Sequence, residues 1–325
     1  MSKGLVSALK LGFGIVLAAG LMYLVFRNVD WEGFLQKAKE VNYSWVIFSI
    51  FLSLGAYVVR AYRWNLLLQP LGYELKTERT TLAVLIGYVA NLVLPRLGEV
   101  TRCGVLNRND DVSITHSFGS VVTERIVDFL TLLFFIALSL VLEYERLMKF
   151  ISSAYQNLHV PSWIWLAGLV IGLIFMSVAW WFFKNREKFK GKLMAIVRSF
   201  IDGLLSIRNL KHKWSFFIST IVIWIIYYLM SYVIIFSLPE SSGLGLTAGL
   251  MLLVTGGIAL SIPVQSGFGT YHGMIAGMLL LYGIEHNTGI FLATLLHTSQ
   301  IIAVAFFGSI ALFISFLIRR RKVAD

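Results

Sequence analysis

Long apolar runs alternate with short polar segments along the chain. Each long run can cross the hydrocarbon core of a bilayer, which takes about 20 residues. Because the backbone finds no water inside a bilayer, runs of this length predict helices, whose hydrogen bonds are internal, and not barrel strands. Six of the runs are uninterrupted: 9–26, 45–69, 117–142, 162–183, 214–238 and 289–318.

Two further apolar stretches are broken by prolines. The first covers 80–94 and meets Pro95, and the second covers 243–284 and contains Pro263. Since proline interrupts the hydrogen bonding of an α-helix, each stretch either enters and leaves on one side of the membrane or crosses it twice. The pattern predicts an all-α polytopic membrane protein, a single domain over 1–325 with about six to eight transmembrane helices.

The order of elements in the first half recurs in the second half with the opposite direction. A full span, a broken stretch and another full span follow one another in each half, and the two prolines lie about 168 residues apart. Such a pattern is typical of inverted-repeat transporters, in which broken helices line a polar cavity between the repeats. We predict halves at 1–150 and 160–325. The alternative is that unrelated helices happen to match in length.

The charge distribution predicts how the protein is oriented. Charged residues make up only 14% of the chain, and the formal net charge is +11. Basic residues concentrate in 184–213 and 319–322, whereas 27–43 and 143–161 are balanced or acidic. Because cytoplasmic loops are rich in Lys and Arg, both termini are predicted to face the cytoplasm, and no nucleic-acid partner is needed. Segment 184–213 either binds the anionic inner leaflet as an amphipathic helix or is a basic loop that only sets the topology.

The sequence has no motif for nucleotide binding or hydrolysis. Cys103 is the one cysteine, which excludes an internal disulfide and a cysteine-based metal or redox site. Walker, HExxH and nucleophile-elbow motifs are missing as well. We therefore predict no cofactor, no metal, no ATP-driven pump and no enzyme of the soluble type.

Charged residues within apolar runs of the first half are the candidates for a functional site. Arg60 and Arg63 share one helix face, and apolar residues continue beyond them. Glu124 and Asp128 also share a face, so their charges repel unless one is protonated or both pair with cations. Arg125 points about 100° away around the same helix, which leaves arginines on other elements as partners.

Arginines outnumber carboxylates in this group. Guanidinium groups hold phosphate oxygens through paired hydrogen bonds, so the excess predicts an anionic, phosphate-bearing ligand. The carboxylates would position the arginines and change protonation during a cycle. Interfacial anchoring and a structural ion-pair network are the alternatives. The predicted phosphate-binding residues are Arg60, Arg63, Arg96, Arg102 and Arg125, and the predicted positioning residues are Glu99, Glu124 and Asp128.

Glycines accompany both prolines. Glycine adopts backbone conformations that other residues avoid, so we predict that these glycines let the chain turn and move beside the prolines. The predicted gating residues are Pro95, Gly98, Pro263, Gly267 and Gly269.

The second broken stretch carries few polar side chains. Gln265, Tyr271 and His272 are among them, and His297 lies on the next run. His272 is predicted to couple transport to protons if it titrates near neutral pH. A permanently neutral, hydrogen-bonded histidine is the alternative.

At these residues the chain resembles a known family. The motifs are R-x-x-R-W from Arg60, N-x-x-x-P-x-x-G-E-x-x-R from Asn91, ERIVD from Glu124 and P-x-x-x-G-x-G from Pro263. Over essentially its whole length the chain is similar to the flippase-like membrane family that includes the N-terminal domain of lysylphosphatidylglycerol synthetase, also called the multiple peptide resistance factor. The resemblance implies lipid translocation across a bacterial cytoplasmic membrane, with the matched charged residues along the lipid pathway and Asn91 as a positioning residue.

Two departures from the family pattern change what is expected. No soluble aminoacyl-transferase domain follows Asp325, so synthesis of lysylphosphatidylglycerol is not expected. His272 stands where the family often has an acidic residue after the late glycines. A cationic lipid head would favour a carboxylate at that position.

The function predicted from the sequence is movement of a phosphate-bearing lipid between leaflets, with a phospholipid or a polyprenyl-phosphate-linked lipid as substrate. The two broken segments would act as gates on opposite sides. The alternatives are a membrane-embedded lipid-modifying enzyme, a subunit that presents lipid to one, and a transporter of a small soluble anion. The predicted partners are membrane lipids, together with a second copy of the chain or a partner enzyme.

Overall fold

The structure, a computed structural model, describes residues 3–94, 96–149, 152, 173, 176–177, 210–262 and 264–317. Predictions on Pro95, Pro263, most of run 162–183, segment 184–209 and the tail 319–322 fall outside these residues. Every regular element in the described part is helical. The helices that place the site are α1 (Lys3–Phe26), α2 (Trp31–Glu40), α3 (Tyr43–Leu68), α4 (Thr77–Val93), α5 (Leu97–Asp110), α6 (Ile114–Leu142), α7 (Lys213–Ile235), α8 (Leu246–Ser261), α9 (Thr270–Leu280) and α10 (His286–Leu317).

Four helices of the described part are long and apolar enough to cross a membrane. They are α3 with its short 3₁₀ extension to Leu71, α6, α7 and α10, and they match four of the predicted runs. Part of α1, Val16–Phe26, and α8 are shorter apolar helices. The prediction of an all-α polytopic membrane protein is therefore confirmed.

The first broken stretch forms a helical hairpin of α4 and α5, called the first hairpin below. The two helices pack along each other. Arg79 in the first turn of α4 donates to Asp110 at the end of α5 across 2.6 Å, so the outer ends of the two helices lie together. The first broken stretch therefore folds back on itself as two antiparallel helices, and whether it crosses the membrane stays a prediction.

The second broken stretch forms a second hairpin, made of α8 and α9. Glu143 at the end of α6 interacts with Thr247 at the start of α8. Arg146 Nη1 lies 3.5 Å from the carbonyl of Leu281, just after α9. Burial opposes ionisation of Glu143, but hydrogen bonds from Thr247 and Arg146 outweigh it, so the pKa of Glu143 lies below its usual value. Both ends of this hairpin thus lie beside Glu143.

The two hairpins enter the bundle from opposite ends. The base of the first lies near the beginning of α6, where Tyr73 OH accepts from the backbone N–H of Ser113 at 3.2 Å. The base of the second lies at the other end of α6, beside Glu143. Since α6 has 29 residues, at 1.5 Å per residue the two bases are separated by roughly the thickness of a bilayer.

The glycines at the hairpin turns have different roles. Gly267 and Gly269 have φ of 73° and 80°, as predicted for turn residues. The prediction for Gly98 is wrong in its reason, because Arg96, with φ 65°, takes the left-handed conformation and Gly98 lies in the first turn of α5. A Cβ at Gly98 would lie too close to the carbonyl oxygen of Gly87 on α4. Gly98 is required for close packing of the hairpin.

Candidate functional site

Two arginines of α3 lie inside the protein. Asn42 begins the helix by accepting from the N–H of Ser44 at 3.2 Å. The helix then continues through apolar sequence to Leu68, which carries Arg60 and Arg63 into the bundle. Arg60 is 4% exposed and Arg63 is fully buried. A buried guanidinium must be paired, so these side chains need partners on other elements.

The carboxylates of α6 supply those partners. Asp128 accepts from Arg60 Nη2 at 2.9 Å and from Arg63 Nη2 at 2.7 Å. Glu124, which is fully buried, forms an ion pair with Arg60 and lies 3.6 Å from Arg63 Nη2. Because each carboxylate faces two arginines, the repulsion between neighbouring acids on one helix face is offset. The prediction that both acids pair with arginines of other elements is confirmed.

Arg102 on α5 brings a third guanidinium to the same place. Its Nη1 donates to Glu124 at 3.1 Å, and its guanidinium carbon lies 4.4 Å from the ring centroid of Trp64. Trp64 is held in turn by donation from its Nε1 to Ser120 at 2.8 Å. Arg102 is 4% exposed, yet its Nε and Nη2 have no hydrogen-bond partner in the protein. Two buried donors are therefore free to bind a ligand.

We call Arg60, Arg63, Arg102, Glu124 and Asp128 the arginine cluster. It holds three guanidinium groups and two carboxylates, which leaves one formal positive charge in buried surroundings. Electrostatic attraction is stronger away from water, so this surplus favours an anion. The cluster combines a net positive field with unsatisfied donors, the two properties that a phosphate group requires.

Residues of α7 complete the arginine cluster, and sequence reasoning missed them. Tyr227 OH accepts from Arg60 Nη1 at 2.9 Å, and Thr220 Oγ1 accepts from Arg63 Nη1 at 3.3 Å. The two residues are seven apart, so they lie on one face of an otherwise apolar helix. That spacing is the sequence pattern from which the two residues could have been found. Because α7 belongs to the second half of the chain, both halves hold the arginines.

A small, open cleft lies beside the cluster. Arg60 and Arg102 line it together with Asn91, Glu99 and Arg125. Asn91 Oδ1 accepts from the backbone N–H of Gly98 at 2.7 Å and so joins the two helices of the first hairpin.

The location of the cleft corrects one prediction. The residues that line the cleft all belong to α3–α6, so it lies within the first half and not between the halves. The physical reason is that the second hairpin enters from the other end of the bundle. Gly267, Gly269 and His272 of that hairpin are therefore not part of the lining.

Two predicted phosphate-binding arginines lie outside the cluster. Arg125 pairs with Glu99 across 2.9 Å at the edge of the cleft, and its side chain is 45% exposed. Arg96 is exposed at the turn between α4 and α5. Asn91, Glu99 and Arg125 thus border the cleft, whereas Arg96 does not line it.

His272 lies among aromatic rings. Its ring centroid is 5.0 Å from that of His297 and 5.5 Å from that of Phe26. Tyr271 stacks on His297 with centroids 5.1 Å apart. The Nδ1 atoms of both histidines are buried without a hydrogen-bond partner, and His297 Nε2 lies 2.9 Å from the carbonyl oxygen of Ser266. Proton coupling at His272 stays a prediction.

The described residues contain no group of three or more His, Cys, Asp or Glu side chains placed to hold a metal ion. Cys103 is a free, buried thiol on α5.

Comparison with known proteins gives one family and one relative. The family model described as the lysylphosphatidylglycerol synthase TM region matches residues 11–318. A protein of Methanocaldococcus jannaschii named UPF0104 membrane protein MJ1595 is 28% identical over 140 residues, which cover 42% of this chain and 40% of that protein. No solved structure matches the chain.

Proposed function

Because the chain belongs to the family of the lysylphosphatidylglycerol synthase transmembrane region, we propose that it moves a phosphate-bearing lipid between the leaflets of a membrane. The observation that carries this proposal is Arg102. Its buried Nε and Nη2 have no protein partner and it lines a cleft inside a membrane protein. An Arg side chain with two free donors matches the geometry of two phosphate oxygens.

In the proposed mechanism only the lipid head group enters the cleft, while the acyl or prenyl tails remain in the bilayer. Trp64 and Glu124 hold the Arg102 side chain from two directions, so little conformational freedom is lost on binding. Arg60 and Arg63 pair with Asp128 and Glu124, and Arg63, whose Nε also lacks a partner, does not line the cleft. In this proposal Arg102 contacts the phosphate group directly, and Arg60 and Arg63 contribute positive electrostatic potential.

The location follows from charge. We propose that the protein lies in the cytoplasmic membrane with both termini in the cytoplasm, since basic residues concentrate in 184–213 and 319–322. The base of the first hairpin then lies at the cytoplasmic side and that of the second at the outer side. We propose transport without covalent change of the lipid, because the groups around the cleft are suited to binding.

We also propose that the two halves are an inverted repeat. In this scheme α3, the first hairpin and α6 correspond to α7, the second hairpin and α10. Packing is reciprocal, since α10 packs on α4 and α6 packs on α8. Reciprocal packing of opposed hairpins is the arrangement that alternating access uses.

The first test is mass spectrometry of the lipids that co-purify with the protein. We expect enrichment of one phosphate-bearing lipid over the membrane extract, and a loss of roughly tenfold or more in Arg102→Ala, since hydrogen bonds to charged groups are the stronger ones. Arg102→Lys is expected to give an intermediate result, because an ammonium group cannot form the paired contact. Arg108→Ala is the matched control, an exposed arginine of the same helix.

A transfer assay then follows in vesicles that contain the purified protein and the enriched lipid. Movement of that lipid between leaflets, lost in Arg102→Ala and kept in Arg108→Ala, is the expected result. If all variants carry only bulk membrane lipid and move none, the proposal is wrong. Uptake of inorganic phosphate into the vesicles without lipid movement would instead favour a transporter of a small soluble anion.

A further inference from the structure

The tips of the two hairpins are joined by one side chain. Gln265, at the turn of the second hairpin, donates its Nε2 to the carbonyl oxygens of Leu92 at 3.0 Å and Val93 at 2.8 Å. We call this the tip contact. Leu92 and Val93 are the last residues of α4, and the final carbonyl groups of a helix have no partner within it. Gln265 therefore satisfies backbone acceptors of the opposite hairpin.

The tip contact borders the cleft. Asn91, which lines the cleft, is the chain neighbour of Leu92. Because the hairpins enter from opposite ends, their tips meet between the cleft and the other end of the bundle. A head group that leaves the cleft toward that end has to pass the tips.

The bases of the hairpins are held more firmly than the tips. Arg79 pairs with Asp110 at the base of the first, and at the base of the second the guanidinium of Arg146 donates to the carbonyl oxygen of Leu281. The tips are joined by two hydrogen bonds of an uncharged amide. Hydrogen bonds to charged groups are the stronger kind, so separation at the tips requires less free energy than separation at the bases.

The backbone beside Gln265 is strained. Ser266 has φ 48°, a conformation that L-residues other than Asn and Asp rarely adopt, and the contact of its carbonyl with His297 Nε2 holds it there. Strain of this kind is concentrated at functional sites, ligand clamps and switch regions. The tip of the second hairpin thus has both a weak contact and a strained backbone next to it.

We propose that the tip contact is the closed gate between the cleft and the opposite side of the membrane, and that Gln265 is the residue that holds it closed. This deepens the proposed function and rests on it. Opening replaces the amide donor of Gln265 with a water molecule or a lipid head-group hydroxyl that donates to the α4 carbonyl oxygens. Gln265 is a positioning residue, since it contacts the backbone of α4 and not the arginine cluster.

The first experiment measures how readily the tip contact opens and needs no transport assay. The parent protein carries Leu92→Cys and Cys103→Ala, and the test variant carries Gln265→Ala in addition. The rate at which a membrane-impermeant maleimide labels the cysteine at position 92 is measured in both. We expect labelling to become roughly tenfold faster in Gln265→Ala, because two hydrogen bonds of the closed state are lost. Gln300→Ala on α10 is the matched control and is expected to leave the rate unchanged. Equal rates in Gln265→Ala and its parent would overturn the gate.

The second experiment fixes the gate covalently. Val93→Cys with Gln265→Cys is joined by a short, reducible thiol cross-linker, and lipid transfer in vesicles is measured before and after reduction. We expect the cross-link to stop transfer, reduction to restore it, and the co-purified lipid to remain bound throughout. The control pair, Arg79→Cys with Asp110→Cys, joins a base and is expected to transfer as its Cys103→Ala parent does.

Failure of the gate proposal and failure of the proposed function give different results. Continued transfer with the tips cross-linked would show that Gln265 only caps α4. If the Cys103→Ala parent moves no lipid at all, the proposed function is wrong, and the labelling rates at Leu92→Cys still decide whether the tip contact opens.

Discussion

At the scale of single residues, Glu124 is the centre of the site. It is fully buried and faces guanidinium groups from two helices, those of Arg60 and Arg63 on α3 and that of Arg102 on α5. Removal of one partner from a buried ion pair leaves the remaining charges uncompensated, which costs more than the pair contributes. Glu124 is therefore the carboxylate that all three arginines share, whereas Asp128 contacts Arg60 and Arg63.

Glu124→Gln is predicted to lower the free energy of unfolding by roughly 3–5 kcal/mol. The reason is that three buried guanidinium groups would face one remaining carboxylate, that of Asp128. Thermal or denaturant unfolding in detergent measures the change. Glu99→Gln is the matched control, because Glu99 is partly exposed and pairs with the half-exposed Arg125, and its loss is expected to cost less than about 1 kcal/mol. Equal effects of the two substitutions would contradict a central role for Glu124.

At the scale of elements, the first hairpin depends on a close approach of two helices. Gly87 on α4 faces Gly98 on α5, and a Cβ at Gly98 would lie 2.6 Å from Asn91 Nδ2 and would also be too close to the backbone oxygen of Gly87. A backbone atom in a helix cannot move aside without displacing the helix. Gly98 thus keeps α4 near enough for Asn91 to reach the N–H of residue 98.

Gly98→Ala is predicted to destabilise the protein by roughly 1–3 kcal/mol, as overpacking does. It is also predicted to reduce lipid co-purification, because the wall of the cleft is displaced. Gly104→Ala on the same helix is the control, since a Cβ there meets no atom within 4 Å and alanine favours helix. Unfolding midpoints and bound lipid of both variants provide the comparison. An unaffected Gly98→Ala variant would mean that the hairpin is less tightly packed than the structure has it.

At the scale of the whole molecule, the opposed hairpins determine how the two sides of the proposed transport pathway differ. Each hairpin has its base at its own end of the bundle, and the two tips meet where Gln265 contacts Leu92 and Val93. The charged cleft belongs to the first hairpin, and the second contributes an aromatic and histidine-lined tip. The two sides of the proposed pathway are therefore chemically unequal, with the anion site on the side of the first hairpin.

Opposite entry predicts the outcome of side-specific labelling. In a Cys103→Ala background, Glu74→Cys at the base of the first hairpin and Ser242→Cys near the base of the second are both exposed positions. We expect an impermeant thiol reagent to label residue 74 in inverted vesicles, which expose the cytoplasmic side. We expect it to label residue 242 in intact cells, which expose the outer side. Labelling of both positions from the same side would rule out the opposed arrangement.

The sequence alone determined that the protein is a helical membrane protein and which charged residues share a helix face. Both properties are local: apolar runs of a given length predict spans, and spacings of three or four residues place Arg60 with Arg63 and Glu124 with Asp128 on shared faces. The motifs around these residues also identified the family, which the match over residues 11–318 confirms.

Only the tertiary structure decided how the broken stretches fold and which residues meet. A proline ends a helix but does not set the direction of the chain beyond it, so sequence could not distinguish a hairpin from two spans. The contacts of Arg60 with Tyr227 and of Gln265 with Leu92 join residues more than 160 positions apart. Such contacts depend on how helices pack, and many alternative packings satisfy the same apolar pattern. For that reason the cleft, its free Arg102 donors and the contact between the tips appear only when the chain is folded.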